Sequence, residues 1–153
     1  MAIDRAVEAD AALLHELQRL AYRSEAELYD DWSIPPLTEP LAETERALAE
    51  QLVLKASVGG RIVGAVRGRL AADGTCHVGR LVVRPEAQGR GLGTQLMRTL
   101  EAGLPAARRF ELFTGERSAR NLHLYAKLGY RPFRTEPLSP RVTLVFLEKV
   151  RGA

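Results

Sequence analysis

Residues Leu81–Met97 read LVVRPEAQGRGLGTQLM: an apolar strand, a proline, glycines at 89, 91 and 93, and then a helical pattern. Glycine inside a helix costs about 1 kcal/mol relative to alanine, so three of them at a helix start need a reason. Glycine lets the main chain approach a ligand with no Cβ in the way. The first turn of the helix adds four N–H groups without intrahelical partners and a partial positive charge. Together these make a cradle for phosphate. A plain tight turn is the simpler alternative, but it does not call for three glycines.

The flanking pattern sets the fold. Upstream, LVLKAS, RIVGAVRGRL and TCHVGRLVV are separated by Gly59-Gly60 and Asp73-Gly74, which predicts an antiparallel meander. Downstream, Leu92, Leu96 and Leu100 share one helix face, the helix ends at Gly103 before Pro105, and RFELFT reads as a strand. A strand–helix–strand unit of this length implies a crossover between parallel strands. Nearer the start, Ile3–Val7 reads as a short strand. Asp10 is expected to cap a helix over 11–22 with an apolar stripe of Leu13, Leu14, Leu17, Leu20 and Ala21. Thr38 is expected to cap a second helix, with Glu39 and Glu43 near its positive end. A last helix over 119–128 stops at Gly129, and YRPFRTE and RVTLVFLEKV form a closing hairpin around Pro137–Pro140. The expected class is α+β: a mixed, largely antiparallel sheet of about seven strands, with about four helices and one parallel strand pair.

Length and composition narrow the setting. The 153 residues, 46% apolar and 27% charged, suit one domain over 1–153. No apolar run approaches the roughly 18 residues of a membrane span. The N-terminal stretch has acids at Asp4, Glu8 and Asp10 and no leader-like apolar core. Cys76 is the sole cysteine, which excludes an internal disulfide and a cysteine-based metal cage. The net charge of +3 is spread along the chain, which gives no support for nucleic acid. A cytoplasmic protein with no membrane, nucleic-acid or metal partner is expected.

The type of phosphate ligand follows from what surrounds the glycines. Gly93 precedes Thr94-Gln95, so the lysine of a nucleotide-binding P-loop is missing. A dinucleotide fingerprint flows straight from its strand, whereas RPEAQ intervenes here, and the upstream meander does not suit a doubly wound sheet. Gln88-Gly89-Arg90-Gly91-Leu92-Gly93 instead fits Q/R-x-x-G-x-G/A, preceded by a strand and a proline. NLHLYAKLGYRPF supplies a second block, an asparagine, a tyrosine and a Gly-aromatic pair. With these two motifs in order, the sequence resembles the GNAT superfamily of acetyl-CoA-dependent N-acetyltransferases over nearly its whole length.

The resemblance implies acetyl-CoA as cosubstrate and no metal. It implies that the strand Leu81, Val82 and Val83 pairs with the pantetheine arm where the strands carrying Val82 and Leu112 splay apart. Gln88, Gly89, Arg90, Gly91, Leu92, Gly93 and Thr94 would hold the pyrophosphate, with Arg90 adding charge or remaining solvated. Tyr125 matches the general acid and Asn121 a cofactor contact. Many relatives place an asparagine seven residues before the tyrosine, where this chain has Ser118. The expected reaction is direct acetyl transfer to a primary amine of a small molecule or amino acid. A protein or peptide N-acetyltransferase and a noncatalytic acyl-CoA-binding module are the alternatives, and a homodimer is open beside a monomer.

The general base is not legible. His77 and Glu111 are candidates against ordinary packed or solvated roles. A Cys76–His77 pair fails unless a bulge intervenes, because neighbouring strand residues face opposite ways. His15 and His123 read as surface residues. The segment RSEAELYDDWSIPPL, with Glu25, Glu27, Asp30, Asp31 and Trp32, is either an anionic, partly aromatic acceptor wall or a solvated acidic stretch with a packed tryptophan. Arg80 either meets an acceptor carboxylate or faces solvent.

Overall fold

Alternating apolar residues and glycine turns build the sheet. The computed structural model describes residues 1–152. Strands β1 (Ala2–Arg5), β2 (Leu52–Val58), β3 (Arg61–Leu70) and β4 (Thr75–Val83) pair antiparallel in chain order. Gly59 and Gly60, at φ +58° and +79°, close the β2–β3 hairpin as a two-residue turn of such sign requires. Helix α5 (Leu92–Ala102) then carries the chain over to β5 (Arg109–Gly115), which runs parallel to β4. After α6 (Ala119–Lys127), strands β6 (Arg131–Ser139) and β7 (Val142–Val150) form the closing hairpin. The seven-stranded order is β1-β2-β3-β4-β5-β7-β6, so the last strand inserts beside β5 and leaves β6 at the rim.

Four helices precede β2: α1 (Ala11–Ala21), α2 (Arg23–Tyr29), α3 (Pro35–Thr38) and α4 (Leu41–Glu50). The sequence pattern anticipates two helices here. The acidic segment adds α2 and α3 because Pro35 opens a short turn of its own. Thr38 therefore ends α3 instead of capping α4, and Pro40 precedes α4. Asp10 does not cap α1 with its side chain. Its carboxylate accepts the Val7 N–H at 2.9 Å and the Lys55 ammonium at 2.8 Å, tying the helix entry to β2. Leu13 is exposed, and Gln18 takes a buried place by donating to the Pro36 carbonyl at 2.9 Å. No helix among the described residues is long and apolar enough to cross a membrane.

The sheet is covered on both faces. Leu54 and Val66 point to α5, where Leu96, Met97 and Leu100 are fully buried with Cys76 and Phe110. Their neighbours Val53 and Ala65 point the other way, to Leu14 and Leu17 of α1. This is the period-two alternation of a strand buried on both sides.

Two irregularities shape the middle of the sheet. In β4, Gly79 opposes Arg67 and Val82 opposes Ala65, so Arg80 and Leu81 share the place opposite Val66. Arg80 takes φ +52°, a left-handed value uncommon for a side chain of this size. Shortly before this bulge β4 has already left its parallel neighbour: pairing with β5 covers only Thr75–His77 against Arg109–Glu111.

Glu39, just past α3, holds the outer side of that bulge. Its carboxylate receives Arg67, Arg80 through Nε and Nη2 at 3.3 and 3.2 Å, Thr44 at 2.9 Å and Gln18 at 3.3 Å. Its side chain is only 6% exposed, and those of Arg67 and Arg80 are 14% and 22%. Burial opposes ionisation, but the bonds and charge of Arg67, with Thr44 and Arg80, outweigh it and hold the carboxyl below its usual range. Arg80 is thus tied inward to Glu39 instead of facing solvent.

Replacing Glu39 by Gln leaves two largely buried guanidiniums without their counter-charge, an expected loss of about 3 kcal/mol in urea unfolding at pH 7. Because the folded carboxyl is depressed, its contribution is complete above the unfolded carboxyl range near about pH 4.3 and fades as pH falls through the folded value. The difference between wild type and Glu39→Gln is therefore expected to hold from pH 7 to about pH 5 and to shrink at lower pH.

Candidate active site

The glycine-rich loop has different uses for its three glycines. Gly89 and Gly91 both sit at φ +79°, where a Cβ is strained. Gly93 has ordinary dihedrals, but a Cβ there would lie 3.2 Å from Leu124 Cδ2, so it lets α5 start hard against α6. Gly91 is the N-cap of α5 and offers no side chain to the helix. The Gln88 N–H turns back to the Pro85 carbonyl and that of Gln95 to Gly91, while those from Gly89 through Thr94 have no acceptor among the described residues. Six successive unpaired donors at the positive end of an eleven-residue helix form an anion cradle.

From the cradle a cleft of about 390 Å³ runs along β4. Leu81, Val82 and Val83 line it on one side, and Asn121 and Leu124 of α6 on another. Gln88, Gly89, Gly91, Leu92, Gly93 and Thr94 line its cradle end. Gln88 is braced there, donating to the Val83 carbonyl at 3.1 Å and accepting from Arg120. Arg90 is exposed and does not line the cleft.

A second cavity of about 210 Å³ opens where β4 and β5 diverge. The two cavities share Tyr22, Glu25, Leu81 and Asn121. Tyr125 reaches the second from α6 and has no side-chain hydrogen bond among the described residues, so its hydroxyl has a proton to donate. Burial, with Tyr22 and the Glu25 carboxylate nearby, pushes that phenol well above its usual range. Asn121 Nδ2 donates to Thr114 at 3.3 Å. Ser118, in place of an asparagine, is buried and donates to Glu25 at 2.6 Å, with the Tyr29 hydroxyl 3.0 Å from its oxygen. Tyr29 in turn accepts the Arg117 N–H at 2.9 Å. A chain of side chains thus fastens α2 to the start of α6.

The other candidates lie elsewhere. His77 Nδ1 is 3.7 Å from Glu111, and Glu111 is 2.8 Å from Arg109, where the parallel pairing ends; neither lines either of these two cavities. The bulge lies beyond Cys76 and His77, so the two face opposite ways. The Cys76 thiol is fully buried, which pushes it up to about 11 and removes it as a nucleophile. Trp32 is 53% exposed and, with Glu27, Asp30 and Asp31, lies off both cavities. Of the acidic segment only Glu25 supplies a carboxylate there. His15 is half-buried, its Nε2 2.7 Å from the Glu39 carbonyl oxygen, while His123 is exposed at the rim of the cleft. The sequence gives no hint of Tyr22 at the junction, beyond its place at the end of the α1 apolar stripe. Among the described residues no cluster of histidine, cysteine or acidic side chains is arranged to hold a metal.

Comparison with known proteins fits this geometry. No curated protein sequence matches significantly. Among solved structures, a ribosomal-protein-alanine N-acetyltransferase from Brucella melitensis is 20% identical, with a TM-score of 0.77 over 98% of this chain and 99% of that one. The PaiA N-acetyltransferase from Thermoplasma acidophilum, in complex with coenzyme A, is 18% identical, with a TM-score of 0.76 over 98% and 99%. The putative acetyltransferase yncA from Salmonella typhimurium, with its cofactor acetyl-CoA, is 21% identical, with a TM-score of 0.75 over 98% and 93%. At such identities the likeness establishes the fold. The profile of the acetyltransferase (GNAT) family matches residues 12–130, most of the chain, and this protein belongs to that family.

Proposed function

We propose that residues 1–153 act as one cytoplasmic N-acetyltransferase domain, moving the acetyl group of acetyl-CoA directly to a primary amine in a ternary complex. The observation that carries this is the run of unpaired N–H groups from Gly89 to Thr94 at the end of a cleft that meets a second cavity. Solved relatives with acetyl-CoA or coenzyme A support the choice of cosubstrate. The cradle suits a diphosphate: its donors are main-chain amides at a helix N-terminus, and Gly89 and Gly91 leave its floor open, with no atom within 4 Å of an added Cβ.

Acetyl-CoA supplies a thioester carbonyl open to attack by nitrogen. Leu81, Val82 and Val83 offer main-chain groups along the cleft where β4 has left β5. Asn121 stands at the junction. An alkylammonium with a pKa near 10 is neutral in only about one molecule per thousand at pH 7, a cost of about 4 kcal/mol, so the site needs a proton acceptor. On the departing side, Tyr125 keeps its proton because burial disfavours phenolate. It donates to sulfur in the same motion that breaks the carbon–sulfur bond, since a free thiolate with pKa near about 8.5 is too weak a base to deprotonate it outright.

Thiol release from acetyl-CoA across amines, amino acids and peptides tests the activity. Coenzyme A binding with no turnover on any of them would instead indicate a noncatalytic acyl-CoA module. Tyr125→Phe is expected to lower turnover by about a hundredfold with coenzyme A affinity unchanged by calorimetry; unchanged turnover removes Tyr125 as the acid. Gly91→Val puts a branched side chain at φ +79° on the cradle floor. It is expected to weaken coenzyme A binding by about tenfold or more, and equal affinity would contradict the cradle.

A further inference from the structure

The second cavity restricts the amine. Its walls include Tyr29, Ile34, Pro35, Phe113, Val142 and Leu144, a lining that attracts an apolar body and offers a polyol little to bond. An apolar cavity of about 150 Å³ takes up benzene, so about 210 Å³ holds one ring and a short chain.

Two charged residues line this space, Glu25 and Arg80. Arg80 is turned away, with Nε and Nη2 both donating to Glu39. Glu25 forms no ion pair among the described residues, and its one side-chain partner is the Ser118 hydroxyl at 2.6 Å. It lines both cavities, so its carboxylate stands where an acceptor nitrogen would meet the acetyl group. The hydroxyl bond from Ser118, itself held by Tyr29, fixes the direction in which that carboxylate points. A half-buried carboxylate lacking a counter-ion beside an apolar, aromatic chamber matches a ligand that is cationic at one end and hydrophobic at the other.

Resting on the acetyl-transfer reading, we propose that the acceptor is an arylalkyl monoamine: a primary amine on a short chain carrying one aromatic or similarly bulky apolar group and no carboxylate. Glu25 binds the ammonium and takes its first proton, passing it to solvent. The freed nitrogen lone pair forms the bond to the acetyl carbon. As the carbon–sulfur bond breaks, the sulfur takes the Tyr125 proton, and the second proton lost by nitrogen restores the tyrosine. The products are the amide, the free thiol and one proton.

Thiol release measured with phenethylamine, ethylamine, phenylalanine, spermidine and an alanine-terminated peptide tests the assignment. The kcat/KM for phenethylamine is expected to exceed each of the others by about tenfold or more. Glu25→Gln is expected to lower kcat/KM for phenethylamine by about a hundredfold with acetyl-CoA affinity unchanged, which also reports that the variant is folded. Val142→Trp fills the chamber and is expected to abolish the advantage of phenethylamine over ethylamine. Preference for the peptide, spermidine or phenylalanine, or full activity of Glu25→Gln, overturns this substrate class while leaving acetyl transfer intact. Failure of the wild-type protein to bind coenzyme A would instead defeat the transferase reading beneath it.

Discussion

One surplus residue in β4 governs the site. Arg80 and Leu81 stand where a regular ladder has room for one residue, and the strand leaves β5 after His77. The left-handed backbone at Arg80 is unfavourable for a non-glycine residue, and its neighbours bear that cost. Glu39 grips the guanidinium from the loop after α3, Arg67 on β3 shares the same carboxylate, and Thr44 and Gln18 complete its shell. The N-terminal helices therefore brace the strand whose departure opens the middle of the sheet, as well as covering one face.

The two faces contribute unlike chemistry to that opening. From the α5–α6 side come the unpaired amides of the glycine loop, Asn121 and the buried phenol of Tyr125. From the other side come Tyr22 and Glu25, at the end of α1 and on α2. They meet where the strands diverge because Ser118 and Tyr29 lock α2 to the head of α6. A buried phenol that keeps its proton and a carboxylate without an ion-pair partner among the described residues thus border one space.

The sequence makes some of this legible and hides the rest for physical reasons. The hairpin turns are plain because a two-residue reversal at Gly59-Gly60 has few chemical solutions, and the parallel step follows from the length of the crossover. The loop from Gln88 to Thr94 is readable because its glycines serve local backbone needs. Gly79 hints at an irregular strand, yet the left-handed residue is Arg80, held there by a glutamate forty-one positions away. Helix α2 escapes notice because seven residues carry too little periodicity. The convergence of Tyr22, Glu25 and Tyr125 is likewise illegible, since tertiary packing alone makes them neighbours. Leu13 misleads for the opposite reason: it continues an apolar stripe, but the helix turns it outward.

The short parallel pairing gives the sheet an uneven cohesion. Strands β1 to β4 are joined by antiparallel ladders, and so are β5 to β7, but the two sections meet through only three residues of each facing strand. Main-chain bonding is thus thinnest at the centre, where one core cluster brings side chains of α5 and α6 together with those of both sections. A change in the width of the central gap would therefore disturb few main-chain bonds and leave every hairpin ladder intact.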